Sequence, residues 1–337
     1  MPFDPDAAGS PGSGIFGLPH TREEAGIVLV PVPFDATTSY GHGTAAGPAA
    51  IFDASMQVDL YDRRFGRVYE RGIFMEEESE RIAALSRSAR AAAGPLIAKG
   101  GAEAEDQAAV ATVNAAGDEV NQFTYERFKR ILGEGKTPGL VGGDHSTPMG
   151  AIRACAEAAG EIGILHIDAH MDLRDAFEGF GFSHASIMRN VLRGVPGVKR
   201  LVQVGIRDFG EGEMDCAIEQ GQRVHVCYDD AWAQEMASGT PFTDLAGAAI
   251  KLLPERVYIS FDIDGLDPSL CPHTGTPVPG GLSFNQATIL LDLLRQSHKR
   301  VVGFDLVEVC PGSDGDEWDA NVGARLLYKL CGVTRPA

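Results

Sequence analysis

The chain has 337 residues, 44% of them hydrophobic and 23% charged, the proportions of a soluble globular protein. Lys and Arg number 29 against 47 Asp and Glu, and the net charge of −18 argues against a nucleic-acid partner, which favours a basic face. No apolar run approaches the ~20 residues of a membrane helix, so a membrane partner is not expected either.

In chain order, residues 1–20 are rich in Pro, Gly, Ser and Ala and are expected to be mobile or loosely docked. This N-terminus lacks the basic and apolar segments of a signal peptide. Six scattered cysteines with no C-x-x-C pair fit a reduced, cytoplasmic protein. Residues 21–337 read as one domain without an internal linker. Strands are predicted over 26–32, 137–141, the apolar start of 162–172, 200–205, 223–226, 256–262 and 301–306. Helices are predicted over 48–56, 103–133, 148–159 (capped by Ser146 or Thr147), 183–193, 212–220, 230–236, 242–253, 285–297 and 319–330. A glycine-rich loop fills 33–48, and 70–102 is mixed, with Glu76, Glu77 and Glu78 as a solvated charged face. Strand and helix alternate, which implies an α/β fold with a mainly parallel sheet covered on both faces.

Candidate ligands follow three of these strands. In the stretch Ile-Asp-Ala-His-Met-Asp, Asp168, His170 and Asp172 occupy alternate positions. A rigid strand would set Asp168 and Asp172 roughly 13 Å apart, so the chain is expected to curl near His170. Gly-Gly-Asp-His-Ser supplies His145, and Asp-Ile-Asp-Gly supplies Asp262 and Asp264. Ligands in such sheets gather at the carboxyl ends of strands. Four carboxylates and two imidazoles without a thiolate suit a hard cation such as Mn²⁺. Their mutual repulsion calls for two divalent cations, which can share one water and lower its pKa.

GGDHS, DAHMD and SFDIDGLDP, in that order, resemble the motifs of the binuclear manganese ureohydrolases, the family of arginase and agmatinase. PVPFD, the TGTPVPGGL run at 274–282, DLVEV at 305–309 and the 319–328 segment add to the resemblance, which spans roughly 26–332 and is nearest the agmatinase branch. It implies a three-layer α/β/α fold, assembly as homo-oligomers (trimers or hexamers) and a small cationic guanidino substrate. It implies His145 and Asp172 as terminal ligands of one Mn²⁺, His170 and Asp264 of the other, and Asp168 and Asp262 as bridges. Nickel is the alternative metal. Glu308 is implied to grip the guanidinium, Thr276 to lie beside it, Asp172 to orient the nucleophile and His184 to shuttle protons. Agmatine, cleaved to putrescine and urea, is the first expectation; arginase, guanidinobutyrase and guanidine hydrolase activities are the alternatives. A mononuclear zinc hydrolase of the deacetylase type and a non-catalytic sensor are the remaining readings.

Several residues read more plainly. His166 is expected to hydrogen-bond within the core, and Asp144 and Asp267 to support neighbouring ligands or cap turns. His42 and His273 are read as loop residues, His273 with the option of narrowing the pocket entrance. Asp175 and Glu178 form an acidic loop that could suit a distal ammonium.

Overall fold

The computed structural model describes residues 3–335 apart from 8, 10 and 11. Its strands are β1 (Ile27–Val32), β2 (Ile73–Met75), β3 (Thr137–Gly142), β4 (Ile162–Ile167), β5 (Val198–Ile206), β6 (Val224–Tyr228), β7 (Arg256–Asp262) and β8 (Arg300–Val307). All pair in parallel, in the order β2-β1-β3-β8-β7-β4-β5-β6. After β3 the chain leaves a two-strand gap, builds β4, β5 and β6 outward, then returns to fill the gap with β7 and β8. The middle of the sheet is therefore β3-β8-β7-β4.

The helices are α1 (Gly47–Ser55), α2 (Glu80–Ala98), α3 (Gln107–Gly133), α4 (Met149–Ala159), α5 (Ile187–Gly194), α6 (Glu211–Gln220), α7 (Asp229–Ala237), α8 (Phe242–Leu252), α9 (Phe284–Gln296) and α10 (Trp318–Val333). β4 shows how they divide. Leu165 and Ile167 point into a core shared with α1, α8, α9 and α10. Ile162 and Ile164 point into the opposite core, built with α2 to α6. Alternate side chains leave a strand on opposite faces, so a continuous apolar run buries both. The result is the expected three-layer α/β/α architecture.

Within 1–20, Ile15, Phe16 and Leu18 are buried against α1 and α10; residues 1, 2, 8, 10 and 11 lie outside the described residues. Three local expectations need correction. The mixed 70–102 segment resolves into β2 and α2, which Ser79 caps through the Ile82 amide. Burial of Ile82 and Leu96, at about 1.5–3 kcal/mol each, offsets the ~3 kcal/mol of a proline inside a helix, here Pro95 in the last turn. Glu76 is not a solvated charge: its carboxylate gathers Arg22 (3.0 Å), Arg127 (3.2 Å) and Arg130 (2.5 Å). Neither Ser146 nor Thr147 caps α4, because both hydroxyls turn to Asp144.

Candidate metal centre

The six expected ligands and Glu308 all sit where the four middle strands end. Gly143 brings the turn after β3 against β1: a Cβ there would meet the Phe34 carbonyl oxygen at 2.1 Å. His145 follows two residues later. Asp168 is the first residue beyond β4, Asp262 closes β7, and one 3₁₀ turn (Ile263–Gly265) carries Asp264. Asp172 supplies the curl, with a left-handed φ of 55°; Glu308, just after β8, has φ 61°. Non-glycine residues rarely adopt this region, and such strain gathers at functional sites. The curl thus falls two residues after His170.

His145 Nδ1 faces Asp168 Oδ2 at 3.0 Å, Asp172 Oδ2 at 3.1 Å and Asp262 Oδ2 at 3.2 Å. It completes a hydrogen bond with none of them and is a buried polar atom without a partner. His170 Nδ1 lies 3.1 Å from Asp264 Oδ2 and 3.4 Å from Asp168 Oδ1. Asp168 so belongs to two donor clusters, one with His145, His166 and Asp172, the other with His170 and Asp264. Bare nitrogen and carboxylate oxygens converging at two adjacent points, with one carboxylate common to both, fit two divalent cations.

The electrostatics agree. Burial first, and then Asp168, push the Asp172 carboxyl up to about 7. Burial, followed by Asp264 and Asp168, drives Asp262 well above the carboxylate range. Burial, followed by Asp262 and Asp144, does the same to Glu308. Like charges this close disfavour joint ionisation, and cations relieve that cost.

Glu308 accepts the His145 amide on Oε1 (2.9 Å), while its buried Oε2 has no partner. Thr276, expected beside Glu308, donates to Asp264 Oδ2 at 3.3 Å. Thr274, whose hydroxyl donates to the Glu308 carbonyl (2.8 Å), and Gly275 also flank Glu308. His184 is buried 3.5 Å from Ser39 Oγ. Burial first, then His170 and His145, push its imidazolium down to about 3, so it is neutral near pH 7.

A cavity of about 180 Å³ is lined by His170, Asp172, His184 and Thr276, and also by Arg174, Asp208 and Glu213. A larger one, about 770 Å³, lies among residues 12–23, α1 and β2 and holds none of these ligands. Arg174 is occupied: it pairs with Glu213 at 3.4 Å and stacks over Phe177 at 4.6 Å. Neither Asp175 nor Glu178 of the acidic loop lines this cavity. Asp175 pairs with Arg189 and Arg193, and Glu178 packs beside Gly101.

Asp144 accepts from Thr37 and Ser146, and Asp267 caps the 3₁₀ turn at Pro268–Leu270. His42 lies away from the centre, in a groove beside α2. His273 donates through its backbone and ring to Asp319. Sequence reasoning missed Ser260, 3.0 Å from His145 Nε2, and Gln203, 2.9 Å from His166 Nδ1. Their only signal was a polar residue inside an apolar strand.

Among the described residues no helix is long and apolar enough to cross a membrane. Residues 25–332 match the arginase family model. An N(1)-aminopropylagmatine ureohydrolase of Thermus thermophilus is 32% identical over 95% of this chain and 94% of its own. A Pseudomonas aeruginosa guanidinobutyrase is 30% identical over 93% and 89%. The crystal structure of the agmatine ureohydrolase of Thermoplasma volcanium superimposes with a TM-score of 0.71, at 26% identity over 93% of this chain and 91% of that one. The chain belongs to the arginase family. It is a ureohydrolase, a hydrolase acting on guanidino compounds, of agmatinase-like kind.

Proposed function

We propose that the protein hydrolyses a cationic guanidino compound of the agmatine type to urea and an amine, with agmatine to putrescine as the reference reaction. Two Mn²⁺ are the proposed cofactors, with nickel the alternative. His145, Asp172 and His170, Asp264 would hold one ion each, and Asp168 and Asp262 both. Such ions would acidify a water shared between them.

This chain's residues would do the rest. The unpartnered Oε2 of Glu308 accepts from the guanidinium, a charge-assisted contact that orients the planar cation. Thr276 holds Asp264 in place through its hydroxyl. Water adds to the guanidinium carbon, the carbon–nitrogen bond to the amine breaks, and Asp172 carries the water's proton to the leaving nitrogen. His184, neutral near pH 7, accepts a proton and returns it to solvent.

The observation that carries the cationic substrate is the cavity lining. Asp208 is exposed there without a side-chain partner, while the one arginine, Arg174, is already held by Glu213 and Phe177. A distal ammonium meets an uncompensated carboxylate. Arg174 also supports a second reading, a guanidino acid such as guanidinobutyrate, whose carboxylate would compete with Glu213 for it. Urea release from agmatine, N(1)-aminopropylagmatine, guanidinobutyrate, arginine and guanidine, measured on manganese- and nickel-loaded protein, separates these. Preference for the two agmatines supports the reading; no urea from any substrate would sink it. We further propose a cytoplasmic protein, supported by six free, buried cysteines, that assembles as a trimer or hexamer, to be checked by light scattering.

A further inference from the structure

Four polar side chains share one rung of the sheet directly beneath the ligand cluster. Gln203 on β5, His166 on β4, Ser260 on β7 and Asp305 on β8 are successive register partners. All four are fully buried. An unsatisfied buried polar group costs ~1–3 kcal/mol, so such a row inside an apolar sheet calls for a reason.

The hydrogen bonds along the rung have a fixed direction. Gln203 Nε2 lies 2.8 Å from the Met171 carbonyl oxygen and 2.9 Å from His166 Nδ1. A carbonyl can only accept, so the NH₂ of Gln203 must face it; the flipped amide would set oxygen against oxygen. The second amide hydrogen then points at His166 Nδ1, which must be bare. The ring proton sits on Nε2 and is donated to Asp168 Oδ2 at 2.8 Å. The other oxygen of Asp168 accepts the His170 amide at 2.6 Å. At the far end Asp305 Oδ1 accepts the Phe261 amide (3.1 Å) and the Ser260 hydroxyl (3.0 Å). With its hydrogen spent, Ser260 Oγ accepts from His145 Nε2 at 3.0 Å, so Nδ1, among the carboxylates, is the nitrogen His145 can offer a cation.

We infer that this rung is a positioning device for the metal centre: Gln203 sets the tautomer of His166, which fixes the carboxylate plane of Asp168, while Asp305 and Ser260 set the tautomer of His145. His166 is not a ligand, since Gln203 and Asp168 occupy both its nitrogens. The inference rests on the reading of Asp168 and His145 as metal ligands.

Two measurements test it. Long-range ¹H–¹⁵N correlation spectra of metal-free protein labelled with ¹⁵N-histidine report the tautomer directly and need no variant. His166 is expected as the Nε2–H form. Manganese titration then compares wild type with Gln203→Met and Ser260→Ala. Affinity should fall about 10–100-fold while far-ultraviolet circular dichroism is unchanged. An Nδ1–H tautomer in wild type overturns the rung whatever happens to the metal. Wild-type affinity in both variants overturns its positioning role. A wild-type chain that binds no manganese, yet shows the Nε2–H form, overturns the ligand reading instead, and the rung's purpose with it.

Discussion

The hydroxyl of Thr274 donates a 2.8 Å hydrogen bond to the backbone carbonyl of Glu308, a residue held at φ 61°. The contact ties the loop after Cys271 to the residue proposed to grip the guanidinium. Thr274→Val keeps the shape and leaves that carbonyl short of a partner, at a cost of ~1–3 kcal/mol. The melting temperature should fall and KM should rise more than kcat drops, since Glu308 would be misplaced while the metal ligands stay. An unchanged KM would disconnect the loop from substrate binding.

α2 braces the loop that brings Ser39 to the cavity wall. Arg90 Nη1 donates to the Thr38 carbonyl (2.7 Å) and hydroxyl (3.1 Å), and Ser86 accepts from the Asp35 amide. One residue further, Ser39 faces His184. Arg90→Met should therefore raise KM about tenfold, equivalent to ~1.4 kcal/mol, with metal content unaltered. Loss of metal in parallel would mean that α2 supports the whole centre and not only its mouth.

Gly143 has no room for a side chain, because a Cβ would stand 2.1 Å from the Phe34 carbonyl oxygen. The clash is with backbone, so it cannot be relieved by a rotamer change. Gly143→Ala should separate the ends of β1 and β3 and displace His145, giving insoluble protein or a much lowered unfolding midpoint. A soluble, wild-type-like Gly143→Ala would contradict the packing at that turn.

The His273–Asp319 pair gives a pH dependence. Its hydrogen bond to Asp319 raises the His273 pKa, against an opposing effect of burial. The Asp319 carboxyl is raised as well, by its own burial, which His273 only partly offsets; the histidine's rise governs the neutral window. A raised folded-state value means stabilisation that is full below the unfolded value of about 6.5 and is lost as pH climbs through the folded one. The melting-temperature difference between wild type and His273→Ala should be largest near pH 6 and shrink toward pH 9. A difference constant with pH would assign the contact to packing alone.

Much of the centre was legible because its ligands are local. Asp168, His170 and Asp172 sit in one six-residue window, and an apolar strand before them marks which end of the sheet they occupy. Other features were hidden for physical reasons. β2 is three residues long, and α2 carries Gly94 and Pro95, which read as helix breakers. Thr276 could be placed near the site, yet which carboxylate it serves depends on how its loop folds over. Asp175 could have suited a distal ammonium, but it pairs with Arg189 and Arg193, more than a dozen residues later. The Gln203–His166–Ser260–Asp305 rung exists only through strand register, which no single stretch of sequence contains.

The most direct test is anomalous diffraction at the manganese edge from manganese-loaded crystals. Two peaks are expected, roughly 3.5–4 Å apart, one among His145, Asp168, Asp172 and Asp262 and the other among His170, Asp168, Asp262 and Asp264. A single peak, or peaks away from Asp168, would contradict the account.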